Sequence, residues 1–295
     1  MGSSDCLACH EQFHDLWSSS HHGTAMQAFS GDLASTLVSM EQPLDVRGVQ
    51  FQMDLHEKGG DMYRIDADGE RTRFPVLHAL GGKNVYFFLV PLEKGKLQVA
   101  PLAYHIHRRE WYDATGSMVR DFHNGLTDQP LDWTDRQLTF NTACHDCHIS
   151  QLRKNYNPQD DSYTTTWTDP GNNCEVCHGP AEAHIRVAEE AAENNRELDD
   201  LKIVRFRHDL NHDQRNATCA PCHAKMIPVT RDFTPGENFF DHYDLLSYED
   251  PDFYPDGRDL GENYTQTGWE ANPCVKSSNL ECITCHPSSG RFRFA

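Results

Sequence analysis

The sequence has no apolar run long enough to cross a bilayer. Its longest, Val85-Tyr-Phe-Phe-Leu-Val-Pro-Leu92, has eight residues, against the about 20 that a spanning helix needs. Positive charge is also scarce: 26 lysines and arginines face 45 aspartates and glutamates, a formal charge of −19. Such a surface repels phosphate backbones and anionic bilayers and attracts basic proteins, which excludes nucleic acid as a partner. Apolar residues are sparse too. At 38% of 295 residues, with a mean hydropathy of −0.69, they are lean for a core of this size. The opening stretch, MGSSDCLACH, has neither the charged segment nor the apolar segment of an export leader.

Cysteine and histidine, by contrast, are abundant and ordered. C-x-x-C-H occurs five times, at Cys6-Cys9-His10, Cys144-Cys147-His148, Cys174-Cys177-His178, Cys219-Cys222-His223 and Cys282-Cys285-His286, and uses ten of the eleven cysteines. Two thiols at this spacing add to the vinyl groups of one haem, and the adjacent histidine reaches the iron from the same face. A zinc ribbon or a redox cysteine pair also uses C-x-x-C, but neither needs a histidine directly after it. The expectation is five covalently attached c-type haems, with His10, His148, His178, His223 and His286 as proximal iron ligands. Five porphyrins would supply the apolar bulk that the side chains lack. Haem of this type is attached outside the cytoplasm, so the chain is expected to be exported, to the periplasm or the cell surface, and its start to be a processed or re-engineered one. Cys274, the odd cysteine, is expected to be a buried or free thiol.

The motifs are unevenly spaced, and three regions follow: a first haem segment at 1–45, a β-rich insert at 46–113 and a multihaem core at 114–295. In the insert, VQFQMDL, MYRID, VYFFLV and KLQVAPLAYHI read as strands separated by the turn signals EKGGD, DADGE and LEKGK. The expected fold is α+β with much irregular structure: short helices and loops around stacked haems, plus a small antiparallel sheet. The clearest helix is GPAEAHIRVAEEAAENNREL, with Pro180 suited to its first turn. YEDPDFYPDGRDLGENY reads as a polar loop.

Thirteen histidines remain after the proximal five. A low-spin haem needs a second axial ligand, and neutral imidazole suits electron transfer. His145 lies inside the loop pinned to its own porphyrin, so it is read as a surface residue or a cap for a neighbouring haem, the surface being preferred. His105 and His107 alternate along a predicted strand and share one solvated face.

The stretches CLACHEQFHDLWSSSHHGTAM, FNTACHDCHISQLRKNY, TTTWTDPGNNCEVCHGPAEAH, NATCAPCHAKM and FFDHYDLLSYEDPDFYPDG resemble multihaem cytochromes related to the tetrahaem carrier of ammonia oxidisers. They are most similar to the haem domain found ahead of tetratricopeptide repeats in exported bacterial proteins. That resemblance implies distal iron ligands at His22, from Trp17-x-x-Ser20-x-His22, at His184, from C-H-G-P-x-x-x-H, and at His242, from F-x-D-H. Weaker matches add His78 and His123, with His208, His212 and His105 as substitutes. Relatives often read C-x-x-C-H-D-P-H at the last motif, where this chain has CITCHPSSG and lacks the second histidine.

The leading expectation is an electron carrier without a catalytic residue. It would pass electrons through closely packed bis-histidine haems to redox proteins with basic docking surfaces, to other cytochromes or to copies of itself. The alternatives are a reductase of a nitrogen or sulfur oxyanion with one open iron, and a subunit of an extracellular cytochrome conduit or filament.

Overall fold

A computed structural model describes residues 1–117, 120–121, 129–230, 232–260, 264–277 and 280–286. Among them the chain is a mixture of short helices, antiparallel sheet and much irregular backbone, the fold class that the sequence predicts. In chain order the helices are α1 (Ser4–Ser18), α2 (Gly31–Ser35), α3 (His145–His148), α4 (Cys174–His178), α5 (Glu182–Glu193), α6 (His212–His223), α7 (Gln266–Ala271), α8 (Pro273–Ser277) and α9 (Cys282–Cys285). Two compact units form. One joins Met1–Gly23 to Asn172–Ala295, and the other is Thr24–Gly171. The motif at Cys6 therefore folds with those at Cys174, Cys219 and Cys282, and the motif at Cys144 belongs to the other unit.

The unit Thr24–Gly171 is built on two antiparallel sheets rather than the one small sheet expected. Strands β1 (Met26–Ala28), β2 (Leu44–Val46), β3 (Val49–His56), β4 (Gly59–Ile65), β5 (Arg71–Pro75), β6 (His78–Gly81), β7 (Val85–Pro91), β8 (Leu97–His105) and β9 (Glu110–Asp113) carry it. Their orders are β1-β6-β7-β8-β9 and β2-β3-β4-β5. The three turn signals read from the sequence join β3 to β4, β4 to β5 and β7 to β8. Alternation in β3 puts Phe51 and Met53 inside, and Met53 lies opposite Met62 of β4. Gly59 opens β4 with φ +139°, and a Cβ there would stand 2.5 Å from the carbonyl oxygen of Phe29, so only glycine fits. Five of these strands, β1, β2, β5, β6 and β9, are not among those read from the sequence, and β1 is too short to show a period. It pairs with β6 and buries Met26.

Phe29, Phe51, Met53, Met62, Phe88, Tyr104 and Trp133 fill one core of this unit. Met26, Leu89, Val99, Leu138, Phe140 and Ile149 fill a second. Each such burial stabilises by about 1.5–3 kcal/mol. β8 ends at His105 and His107 stands in the turn that follows, so the two histidines flank a turn instead of sharing a strand face.

The other unit has far less side-chain core. Its cluster is Ala217, Ala220, Ala224 and Phe239. α1 has no buried residue, and its Leu7, Phe13 and Leu16 are 39%, 46% and 46% exposed. α5 begins two residues beyond Pro180, which precedes the N-cap Ala181 instead of opening the first turn. Gly179, with φ +73°, has already turned the chain after α4. The loop 246–260 is tied down by Lys225, whose ammonium reaches Oδ2 of Asp252 at 2.8 Å and the carbonyl oxygens of Asp252 and Leu260 at 2.9 and 3.1 Å.

Candidate haem-binding site

Each C-x-x-C-H forms one helical turn, because a spacing of three places both thiols on one side of a helix. Cys174–His178 is α4, Cys282–Cys285 is α9 with His286 as its C-cap, and Cys219–His223 is the last turn of α6. Cys144 is the N-cap of α3, and Cys6 and Cys9 lie on α1, which leaves helical geometry at His10. Asn173 caps α4, its Oδ1 accepting from the backbone of Glu175 at 3.1 Å.

The histidines are oriented by backbone carbonyls. Nδ1 of His148 donates to the oxygen of Ala25 at 2.7 Å, and Nδ1 of His178 to that of Val204 at 2.8 Å. Nδ1 of His184, on α5, donates to Leu201 at 2.7 Å. A ring that donates through Nδ1 keeps the lone pair of Nε2 for a metal. None of these carbonyls has a sequence signature.

Two pairs of histidine rings come close across long stretches of sequence. His10 and His184 have centroids 6.3 Å apart, and His22 and His223 6.4 Å apart. Two imidazoles on opposite sides of one metal, each with a bond of ~2.0 Å, place their centroids ~6.3 Å apart. Burial first, then the neighbouring imidazoles, holds both His22 and His223 below the usual histidine range, and the neutral ring is the form that ligates iron.

The motif Trp17-x-x-Ser20-x-His22 has a second effect. Nε1 of Trp17 donates to the carbonyl of Asn172 at 2.7 Å, and the backbone nitrogen of Asn172 donates to the carbonyl of His22 at 2.8 Å. The segment leading into α4 is thereby fixed.

Sulfur atoms of different motifs also meet. Cys6 hydrogen-bonds with Cys174, and burial above all pushes the Cys6 thiol up to about 12. Cys219 hydrogen-bonds with Cys282, an interaction that raises the first thiol and lowers the second. Burial pushes Cys177 up to about 11.

The remaining predicted ligands are placed as follows. His78, on β6, is half-buried with Nδ1 unpartnered, its ring against Trp167 at 5.5 Å, and burial holds it below the usual histidine range. Nδ1 of His242 lies 2.5 Å from Oγ1 of Thr230, and its Nε2 is 3.3 Å from Oε2 of Glu237. His123 and the run Pro287–Gly290 lie outside the described residues. His212 engages both ring nitrogens, towards Asp213 and Leu280. His145 is not at the surface: it is 3% exposed, because Phe140 and Ile149 on either side of its turn are core residues. Cys274 is exposed on α8.

The residues fit c-type haem on the chemistry of the donor set and on the exposed apolar side chains of α1. A cavity of about 270 Å³ beside Phe13 and Leu16 is lined by these two with Cys9, His10, Glu11 and Gln12.

Residues 113–179 match the family described as cytochrome c554 and c-prime. Among solved structures the chain is similar to the outer cell wall cytochrome OcwA, with a TM-score of 0.57 and 16% identity, over 98% of this chain and 56% of that one. An undecahaem cytochrome from the S-layer of Carboxydothermus ferrireducens aligns with a TM-score of 0.46 and 16% identity, over 98% of this chain and 39% of that one. The chain thus spans about half the length of the first of these cytochromes. No curated protein matches it. Fold and motifs together define the class as multihaem c-type cytochrome.

Proposed function

We propose that the chain is an exported electron-transfer protein carrying five c-type haems, each iron held between two histidines. The observation that carries this reading is the spacing of His10 from His184 and of His22 from His223, 6.3 and 6.4 Å. Each pair joins a C-x-x-C-H histidine to one that the family resemblance marks as distal. Haem supplies the redox centre; the chain fixes its ligands, excludes water and sets the surface charge, which together tune potential. The sulfur contacts of Cys6 with Cys174 and of Cys219 with Cys282 support edge-to-edge packing of the first haem with the third and of the fourth with the fifth. His78 is assigned to the iron of the Cys144 motif, the motif in its own unit, and His242 and His123 complete the distal set.

Kinship with the tetrahaem carrier of ammonia oxidisers, and a place at the cell surface beside other cytochromes, belong to the same proposal. Ferric spectra should contain low-spin signals alone, and the reduced protein should bind no carbon monoxide. A high-spin signal with carbon monoxide bound to one iron would favour the reductase reading instead.

A further inference from the structure

α6 does more than carry the fourth motif. His212, Arg215, Asn216 and Cys219 recur at steps of three and four, so they lie along one face of the helix. That face holds three consecutive residues of the segment entering the fifth motif. Nε2 of His212 donates to the carbonyl of Leu280 at 2.8 Å. Arg215 pairs with Glu281, and the backbone nitrogen of Cys282 donates to Oδ1 of Asn216 at 3.0 Å. The start of α6 is itself fixed by a reciprocal cap between Asn211 and Gln214.

His212 has a second bond, from Nδ1 to Oδ1 of Asp213 at 2.9 Å. A carboxylate and a carbonyl can only accept, so both ring nitrogens carry hydrogen when both bonds are made, and the ring is then an imidazolium. We propose that this imidazolium seats the haem of Cys282 and Cys285 on α6, and that its loss at higher pH lowers that haem's reduction potential. The inference rests on the reading that this motif carries haem; His212 is a positioning residue that acts through the segment entering the motif.

The charged groups around His212 are Asp213 on its own helix and Glu281 on the segment entering α9, with Arg215 one turn further on and engaged with Glu281. The hydrogen bond to Asp213 raises the pKa most, burial opposes it, and Leu280 adds to the rise. A group raised in the folded state stabilises below its ordinary value of about 6.5 and loses that contribution as pH climbs through the raised value. A cation near a haem favours the reduced form. Its deprotonation removes the charge and one of the two N–H donors together, so the bonds to Asp213 and Leu280 can no longer both be made.

The test is a haem-resolved redox titration of the matured full chain against pH, with His212→Gln and His212→Arg. In the wild type one potential should fall as pH climbs above the ordinary histidine value of about 6.5, the shift of His212 being upward. H212Q should hold that haem at the low value and H212R at the high value, both without pH dependence. The wild-type profile persisting in either variant would overturn the inference, and H212R keeps the cation should H212Q mature poorly. The mass of the peptide containing Cys282 and Cys285 is a separate check: a wild-type peptide without haem would sink the assignment of haem to this motif itself.

Discussion

A buried ammonium tolerates little error, and Lys225 has one satisfied arrangement. Its side chain is 3% exposed, close to Asp252 and Asp259, with two carbonyls completing the shell and the ring of Phe253 5.0 Å away. Lys225→Met should leave two carboxylates without their cation and destabilise by about 3–5 kcal/mol, read as a lower urea midpoint for the unit that contains it. An unchanged midpoint would show that the loop 246–260 does not depend on this lysine. At this scale the sequence was legible wherever chemistry needs a fixed spacing. C-x-x-C-H points to its residues by spacing, and the family resemblance points to His22, whose ring lies 6.4 Å from that of His223. What stayed hidden were partners supplied by backbone: the carbonyls of Ala25, Leu201 and Val204 that aim the histidines. The burial of His145 was hidden for a related reason, since it follows from Phe140 and Ile149 entering a core rather than from its own neighbours in the loop.

Elements position the site through a few polar hooks. Asn141, fully buried, accepts from the backbone of Leu97 at 2.7 Å and donates to Oγ1 of Thr165 at 2.7 Å, while the backbone of Phe140 donates to Leu97 at 2.8 Å. The start of β8 thereby holds the segment that enters α3. Asn141→Ala should strand a buried amide and cost about 1–3 kcal/mol, with faster hydrogen exchange at Leu97; protection equal to the wild type would refute the hook. Long strands with alternation or apolar runs, β3 and β8 above all, were readable from pattern alone. β1 was not, since three residues show no period. The helix boundary at Glu182 was missed because Pro180 is as compatible with the position before a cap as with a first turn.

Over the whole molecule the dominant quantity is the charge of −19. Fields of that sign extend over a screening length of ~8 Å at physiological salt and steer cations inward. Electron exchange with a basic carrier should therefore slow as ionic strength rises and should be faster than with an acidic carrier; rates independent of salt would contradict docking by charge. The same scale explains the lean composition. The unit of Met1–Gly23 with Asn172–Ala295 leaves Leu7, Phe13 and Leu16 of α1 exposed, and four of the five motifs lie in that unit, where covalent porphyrins would take the place of a side-chain core. The central claim is thus a count of haems, and intact mass of the matured protein under denaturing conditions measures it directly. The account predicts the mass of the polypeptide plus five haem units, whereas four or fewer in fully matured protein would contradict it.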